Sequence, residues 1–105
     1  TKLNDAMETA AVKRVMGEHA KTVQLSSIKS MIGHSIGASG AIEAAALAMS
    51  LSTQIYPPTI NLTNPDPVCD LDYIPNTARE ARVKYGLSTS FGFGGQNGAL
   101  VMAAV

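Results

Sequence analysis

Apolar positions recur at helical spacing near the start of the chain. Leu3, Met7, Ala10, Ala11 and Val15 form one stripe, Glu8, Lys13, Arg14 and Glu18 the other, and Gly17 follows. Residues three and four apart share a helix face, so this spacing predicts an amphipathic surface helix with its charged side outward, ending near residue 17. Asn4 or Asp5 is placed to cap it, with Glu8 three residues after Asp5 as in a capping box. Residues 23–28 then alternate apolar and polar, the period of a strand, with Val23 and Leu25 on one face. A loop punctuated by Gly33 and Gly37 leads into a second helix predicted over residues 38–51. That helix is apolar nearly all round, through Ala41, Ile42, Ala44, Leu47 and Met49, the pattern of a buried helix whose small side chains admit a close neighbour. Glu43 interrupts the apolar surface.

Pro57, Pro58, Pro65, Pro67 and Pro75 exclude a central helix from residues 54–75, though a short extended stretch fits near 55–60. Val83, Tyr85 and Leu87 alternate as a strand, residues 91–96 read as a glycine-rich turn, and residues 99–105 are continuously apolar, as in a strand buried on both faces. The predicted order is helix, strand, helix, then a two-strand hairpin-like unit. The fold class is α/β, and no internal repeat is present.

Composition narrows the picture. The 105 residues suit one domain or part of one, and hydrophobic content is ordinary at 46%. Charged residues make up only 15%, sparse for a free-standing surface, and this hints at surface meant for burial against other protein. A net charge of zero gives no electrostatic reason to expect nucleic acid or an anionic membrane as the main partner. No apolar run is expected to reach membrane-spanning length, because Ser and Gly interrupt the longest. A single cysteine rules out an internal disulfide framework and fits a reducing, cytoplasmic compartment. The first residues do not look like a signal peptide and lack an initiator Met, so the sequence reads as beginning mid-protein or after processing.

Three features bear on chemistry. Lys29 and His34 lie on the strand-to-helix connection, where α/β folds place functional groups. A positive charge and a neutral imidazole there can stabilise a developing enolate or oxyanion, although the same residues also suit a solvated loop. Gly92-Phe93-Gly94-Gly95 lets backbone N–H groups approach a ligand as a nest or half an oxyanion hole. It equally suits a tight strand connection, and it matches neither a dinucleotide fingerprint nor a phosphate-binding Walker loop. Cys69 is flanked by Asp66, Asp70 and Asp72, whose negative charge makes a thiol a poor nucleophile, and it reads as a bystander. Two His and one Cys at these spacings make a poor zinc set, and no metal or cofactor is expected.

Taken in order, these segments carry a resemblance. Residues 29–43, KSMIGHSIGASGAIE, look like the lysine–histidine motif of the β-ketoacyl-[acyl-carrier-protein] synthases, condensing enzymes of the thiolase-like fold. Residues 91–97, FGFGGQN, look like the closing signature of that family. Residues 64–80 resemble the connecting segment of its type II fatty-acid elongation enzyme, and residues 1–5 the stretch after its first catalytic histidine. The resemblance spans essentially the whole chain. It implies that residues 1–105 are the C-terminal part of a layered α-β-α thiolase-like fold.

The chemistry so implied is a decarboxylating Claisen condensation that extends an acyl chain with malonyl-acyl-carrier protein in fatty acid biosynthesis. By motif, His34 would donate a hydrogen bond to the malonyl thioester oxygen, and Lys29 would support it with Glu43 as its buried partner. The Phe93 N–H would form half of the oxyanion hole and its ring the gate to the acyl pocket, with Phe91 and Gly94 shaping the loop. Thr1 would touch the pantetheine arm. The nucleophilic cysteine and first histidine would precede Thr1, so the chain by itself should be inert; neither Cys69 nor His19 matches them. The implied partners are acyl-carrier protein bearing acyl and malonyl groups, the N-terminal half of the same fold, and a second copy in a homodimer.

Two positions depart from the family pattern: Lys2 stands where proline is common, and Thr89 where Asn is usual, which puts a monovalent cation site in doubt. A thiolase also carries a Gly-His-x-x-Gly-x-Ser-Gly motif, but thiolases end with a cysteine in a Cys-x-Gly loop, and no cysteine follows Cys69. A polyketide ketosynthase shares the retained motifs, and a silent chain-length-factor-like partner would share the fold without needing Lys29 and His34.

Overall fold

In the computed structural model, Thr1 and residues 3–105 are described; Lys2, expected to affect the helix entry, lies outside the described residues. The first helix, α1, runs Asn4–Met16 and stops at Gly17, which takes a φ of 56° that a side chain would disfavour. Neither Asn4 nor Asp5 caps it through its side chain; Thr1, just before the helix, takes up one N–H, that of Asn4. The Asn4 N–H donates to the Thr1 side-chain and backbone oxygens, each at 3.2 Å, while the Asn4 and Asp5 side chains bond to each other.

The faces of α1 are the reverse of those expected from its pattern. Leu3, Met7 and Val15 are 74%, 66% and 78% exposed, whereas Thr9 is buried. The Thr9 hydroxyl donates to the Asp5 carbonyl at 2.7 Å and accepts from the Tyr73 hydroxyl at 2.6 Å. Lys13 pairs with Asp70, and Glu8 accepts a hydrogen bond from Thr89 at 2.9 Å. The polar side of the helix faces the body of the chain because its partners there are polar side chains. Its apolar stripe is left largely exposed among the described residues.

The strand expected over residues 23–28 is reduced to one parallel bridge between Gln24 and Asp72, with the Leu25 N–H donating to the Asp72 carbonyl at 2.8 Å. The partner segment lies among prolines and offers no longer ladder. A single helical turn, α2 (Lys29–Ile32), stands where a loop was expected. After a 3₁₀ turn, α3 runs Ser39–Thr53. Only Ser50 and Leu51 are buried on it, so the apolar helix is not enclosed as predicted; β-structure covers one side alone. Together, Ile36–Thr53 make 18 residues of mean hydropathy 1.2, long and apolar enough to cross a membrane by length and composition, contrary to the sequence reading. Core helices of soluble proteins meet the same criterion, and α3 packs on a sheet.

Helix α3 ends at Gln54, in the left-handed region at φ 58°. The Gln54 amide donates to the Leu51 carbonyl at 2.6 Å and the Val83 carbonyl at 3.1 Å, and its oxygen accepts from the Val83 N–H at 2.7 Å. This clamp takes up Val83, so the strand predicted to begin there begins at Tyr85 instead. Two short strands, β1 (Ile55–Tyr56) and β2 (Arg79–Glu80), pair antiparallel. A longer antiparallel pair, β3 (Tyr85–Phe91) and β4 (Asn97–Ala103), forms the expected hairpin in register from Tyr85 opposite Ala103 to Phe91 opposite Asn97. Strand β4 is not buried on both faces, because α3 is its one cover; Leu100 and Val101 remain 45% and 67% exposed.

The enclosed apolar core consists of Ala20, Leu51 and Ile74. The chain exposes 7583 Å² at a mass of 10.9 kDa, whereas a self-contained monomer of that mass exposes roughly 5,600 Å². Exposed large apolar residues include Ile36, Met49, Leu87, Phe91 and Val101. Such surface is shaped for contact with other protein. Expressed alone, the 105-residue chain is expected to self-associate or to bind a hydrophobic dye strongly; light scattering and dye fluorescence check this, and a dye-silent monomer contradicts it.

The loop of residues 64–80 is held by ion pairs. Asp72 pairs with Arg79 and accepts the Ile74 N–H at 3.1 Å, and the Arg79 contact above all holds its carboxyl below the usual range. Lys13 does the same for Asp70. A carboxyl whose folded pKa is depressed contributes stability above its unfolded value and loses it as pH falls through the folded value. Stability should therefore hold above about pH 4 and decline below it. In the full-length protein, Asp72→Asn is expected to cost about 1 kcal/mol at pH 7, the pair being half-exposed, and to flatten this acid limb in denaturant titrations.

Candidate functional site

The turn α2 and the start of α3 are joined by Gly33-His34-Ser35, with Gly33 at φ 76° turning the chain out of α2. Lys29, first in α2, reaches across to Glu43 on the second turn of α3 and forms an ion pair. Glu43 is 15% exposed and Lys29 36%, so the carboxylate is largely out of water and depends on its partner. The pair accounts for a charged residue on an otherwise apolar helix.

His34 is exposed, and two hydrogen-bond contacts meet its ring. Its Nδ1 accepts from the Ile36 N–H at 3.0 Å and lies 3.0 Å from the Ser39 hydroxyl. A backbone N–H can only donate, so Nδ1 presents its lone pair and the proton of the neutral ring sits on Nε2, the free edge. This network makes His34 a hydrogen-bond donor at Nε2. Ile36 sits at φ 49°, a left-handed conformation that a β-branched residue adopts at a cost of about 1–3 kcal/mol. That strain aims its N–H at the imidazole.

The glycine-rich turn lies at the end of β3. The Gly92 N–H donates to the Gln96 carbonyl at 2.8 Å, and a Cβ on Gly92 would lie 2.8 Å from that same oxygen, a clash with backbone. Gly94, at φ 80°, completes the turn. Phe93 projects from it, 99% exposed, while Phe91 at the strand end is 49% exposed.

Two contacts bring these segments to one end of the hairpin. A Cβ on Gly40 would meet the Ser90 hydroxyl at 3.8 Å, so the first turn of α3, just after His34, lies beside the residue preceding Phe91. The Thr89–Glu8 hydrogen bond ties α1 to the same strand end. Thr1 is engaged as the α1 cap, and no hydrogen bond among the described residues joins it to His34 or Phe93. Cys69 is a free thiol beside Tyr73, whose hydroxyl burial pushes up. Two open clefts of about 510 and 370 Å³ lie around Gln54 and Arg82, and no residue of the candidate site lines them. Among the described residues, no three His, Cys, Asp or Glu side chains group as a metal set.

Ser39, Ile36 and the Glu8–Thr89 bond were not singled out from the sequence. Ser39, five residues after His34 across a glycine-bearing turn, could have been suspected from spacing; nothing local signals a bond between residues 8 and 89.

A helix-borne carboxylate paired to a lysine, a donor histidine and a glycine-rich turn are thus carried on the elements around α3 and the hairpin. Residues 1–63 match the family described as β-ketoacyl synthase, C-terminal domain. The ketoacyl synthase alpha subunit of the tetracenomycin polyketide synthase of Streptomyces glaucescens is 55% identical over 103 residues, 98% of this chain and 24% of that protein. The 3-oxoacyl-[acyl-carrier-protein] synthase 2 of Synechocystis is 54% identical over 97 residues, 92% of this chain and 23% of that protein. A solved type II polyketide acyl-carrier protein in complex with its ketosynthase bound to the hexaketide superimposes with a TM-score of 0.91 at 46% identity, over 93% of this chain and 24% of that one. This chain belongs to the β-ketoacyl synthase family, as part of the C-terminal domain of its thiolase-like fold. It spans about a quarter of the length of the curated relatives it matches.

Removing either charge should expose the dependence of the site on the Lys29–Glu43 pair. In the full-length protein, Glu43→Ala is expected to cost about 1–3 kcal/mol, because Lys29 is left half-buried without a partner. Lys29→Met with Glu43→Gln should recover most of that loss. Denaturant unfolding of the single and double variants measures the difference.

Proposed function

We propose that this chain supplies the malonyl-activating half of a β-ketoacyl synthase active site, in an enzyme that elongates acyl chains by decarboxylative condensation. The observation that carries the reading is the hydrogen bonding of His34 Nδ1, which leaves Nε2–H as the free donor of a ring that lies, in sequence, between the two elements joined by the Lys29–Glu43 pair. When the malonyl thioester loses CO2, the bond from C2 to the carboxylate breaks and its electron pair passes to C2 and the thioester oxygen. The His34 Nε2–H would meet that oxygen as the charge develops. Lys29 would keep a positive charge nearby, held in place by Glu43. The enolate then attacks the acyl thioester carbonyl, and the Phe93 N–H would take the resulting oxyanion before the cysteine thiolate leaves. That cysteine would come from a part of the protein outside this chain, since Cys69 does not match the nucleophile motif of the family.

Acyl and malonyl groups would arrive on acyl-carrier protein, and the enzyme would act as a cytoplasmic homodimer, as the family resemblance suggests. Fatty-acid elongation is the first reading of the substrate, supported by residues 64–80. Polyketide extension is as well supported, since a polyketide ketosynthase matches the chain at equal identity. Products separate them: acyl- and malonyl-carrier proteins should yield a single two-carbon β-ketoacyl extension for the former and an iterated poly-β-keto chain for the latter. A silent partner role is disfavoured by retention of both Lys29 and His34.

In the full-length enzyme, His34→Ala is expected to lower malonyl decarboxylation by about 10²- to 10³-fold, as for loss of one oxyanion donor. Transfer of the acyl group to the nucleophile should largely survive. Release of labelled CO2 and acyl-enzyme mass measure the two steps, and near-normal decarboxylation would remove the assigned role.

A further inference from the structure

We propose that Ser39 is a positioning residue for His34, holding the imidazole with Nε2–H forward and strengthening it as a donor; the proposal rests on the reading of His34 given above. The ring is exposed, so what bonds to Nδ1 bears directly on its orientation. The Ile36 N–H supplies one donor at 3.0 Å, and the Ser39 hydroxyl, also at 3.0 Å, supplies the second. Since Nδ1 carries no proton, the hydroxyl can only donate there, sharing the one lone pair of Nδ1 with the amide as a bifurcated acceptor.

Ser39 is free for this task. It is the first residue of α3, yet it makes no capping bond, and among the described residues its hydroxyl makes no hydrogen bond other than that to His34. Residue 39 is half-buried at the base of a helix fixed on the hairpin, so the hydroxyl has a defined place from which to reach the ring. Two donors on Nδ1 draw electron density from the ring and polarise the opposite N–H, the cooperative effect of linked hydrogen bonds. A donor so strengthened acts most when negative charge appears on the thioester oxygen. Its effect should therefore fall on kcat for decarboxylation rather than on substrate binding.

The test uses the full-length protein with ¹⁵N-labelled histidine, the His34 signals being assigned by difference from His34→Ala. Ser39→Ala should lower kcat for malonyl decarboxylation by about threefold to tenfold, the range expected for one neutral hydrogen bond. KM and acyl transfer should stay unchanged. The His34 ring nitrogens should move from the Nε2–H pattern toward tautomer averaging, and Ser39→Thr, which keeps the hydroxyl, should restore both readouts. Alanine is a strong helix former, so Ser39→Ala should not cost the fold. Wild-type kcat with an unshifted Nε2–H pattern in Ser39→Ala would overturn the proposal. So would a loss of rate without any change in the His34 signals. If His34→Ala itself decarboxylates normally, the functional reading fails, and the ring signals of Ser39→Ala still decide whether Ser39 holds the imidazole.

Discussion

Helix α3 lies against the β3–β4 hairpin at a separation that position 86 makes possible. A Cβ on Gly86 would sit 2.5 Å from Leu47 Cδ1, so a larger residue would push the leucine, and with it the helix, away from the strand. The rest of the chain is referred to that contact. One residue of slip along a helix turns its side chains by about 100°, enough to carry Glu43 away from Lys29 and Ser39 away from His34. At the other end of α3, the Gln54 side chain grips the backbone on both sides of Val83 and keeps helix and strand in register. Helix α3 therefore acts as a beam, with the candidate chemistry at its N-terminus and a hydrogen-bonded anchor at its C-terminus.

What surrounds the beam is joined mainly by polar contacts. Helix α1 reaches the body of the chain through Thr9–Tyr73, Lys13–Asp70 and Glu8–Thr89, and the loop after α3 is braced by Asp72–Arg79. Directional bonds of this kind fix position well but add little net stability each, because water competes for the same groups. The driving force of apolar burial is correspondingly small within this chain. The surplus exposed area, about 2,000 Å², exceeds the roughly 800 Å² that one partner contributes to a standard interface.

The site shows how a flexible side chain is given one chemical role. A neutral histidine can carry its proton on either nitrogen, and a left-handed residue two positions on settles which by pointing its N–H at Nδ1. The strain at Ile36 and the ion pair at Lys29 both serve fixed geometry, in keeping with the tendency of functional sites to hold costly conformations that the surroundings enforce.

The sequence by itself determined the helices α1 and α3, the hairpin with its glycine turn, and the membership of Lys29, His34, Glu43 and Phe93 in ordered motifs. These rest on local periodicity, on glycine conformations and on residue types at fixed spacing, all of which a chain carries before it folds. Only the tertiary structure decided which face of each element is covered. The stripe Leu3–Met7–Val15 and the run through Leu100 and Val101 have the pattern of buried surface, yet these residues stay between 45% and 78% exposed. Apolar periodicity records that a face is to be buried but not against what. In the same way, the tautomer of His34 and the bond between Glu8 and Thr89 depend on groups brought together by packing, and no local pattern in the chain encodes that meeting.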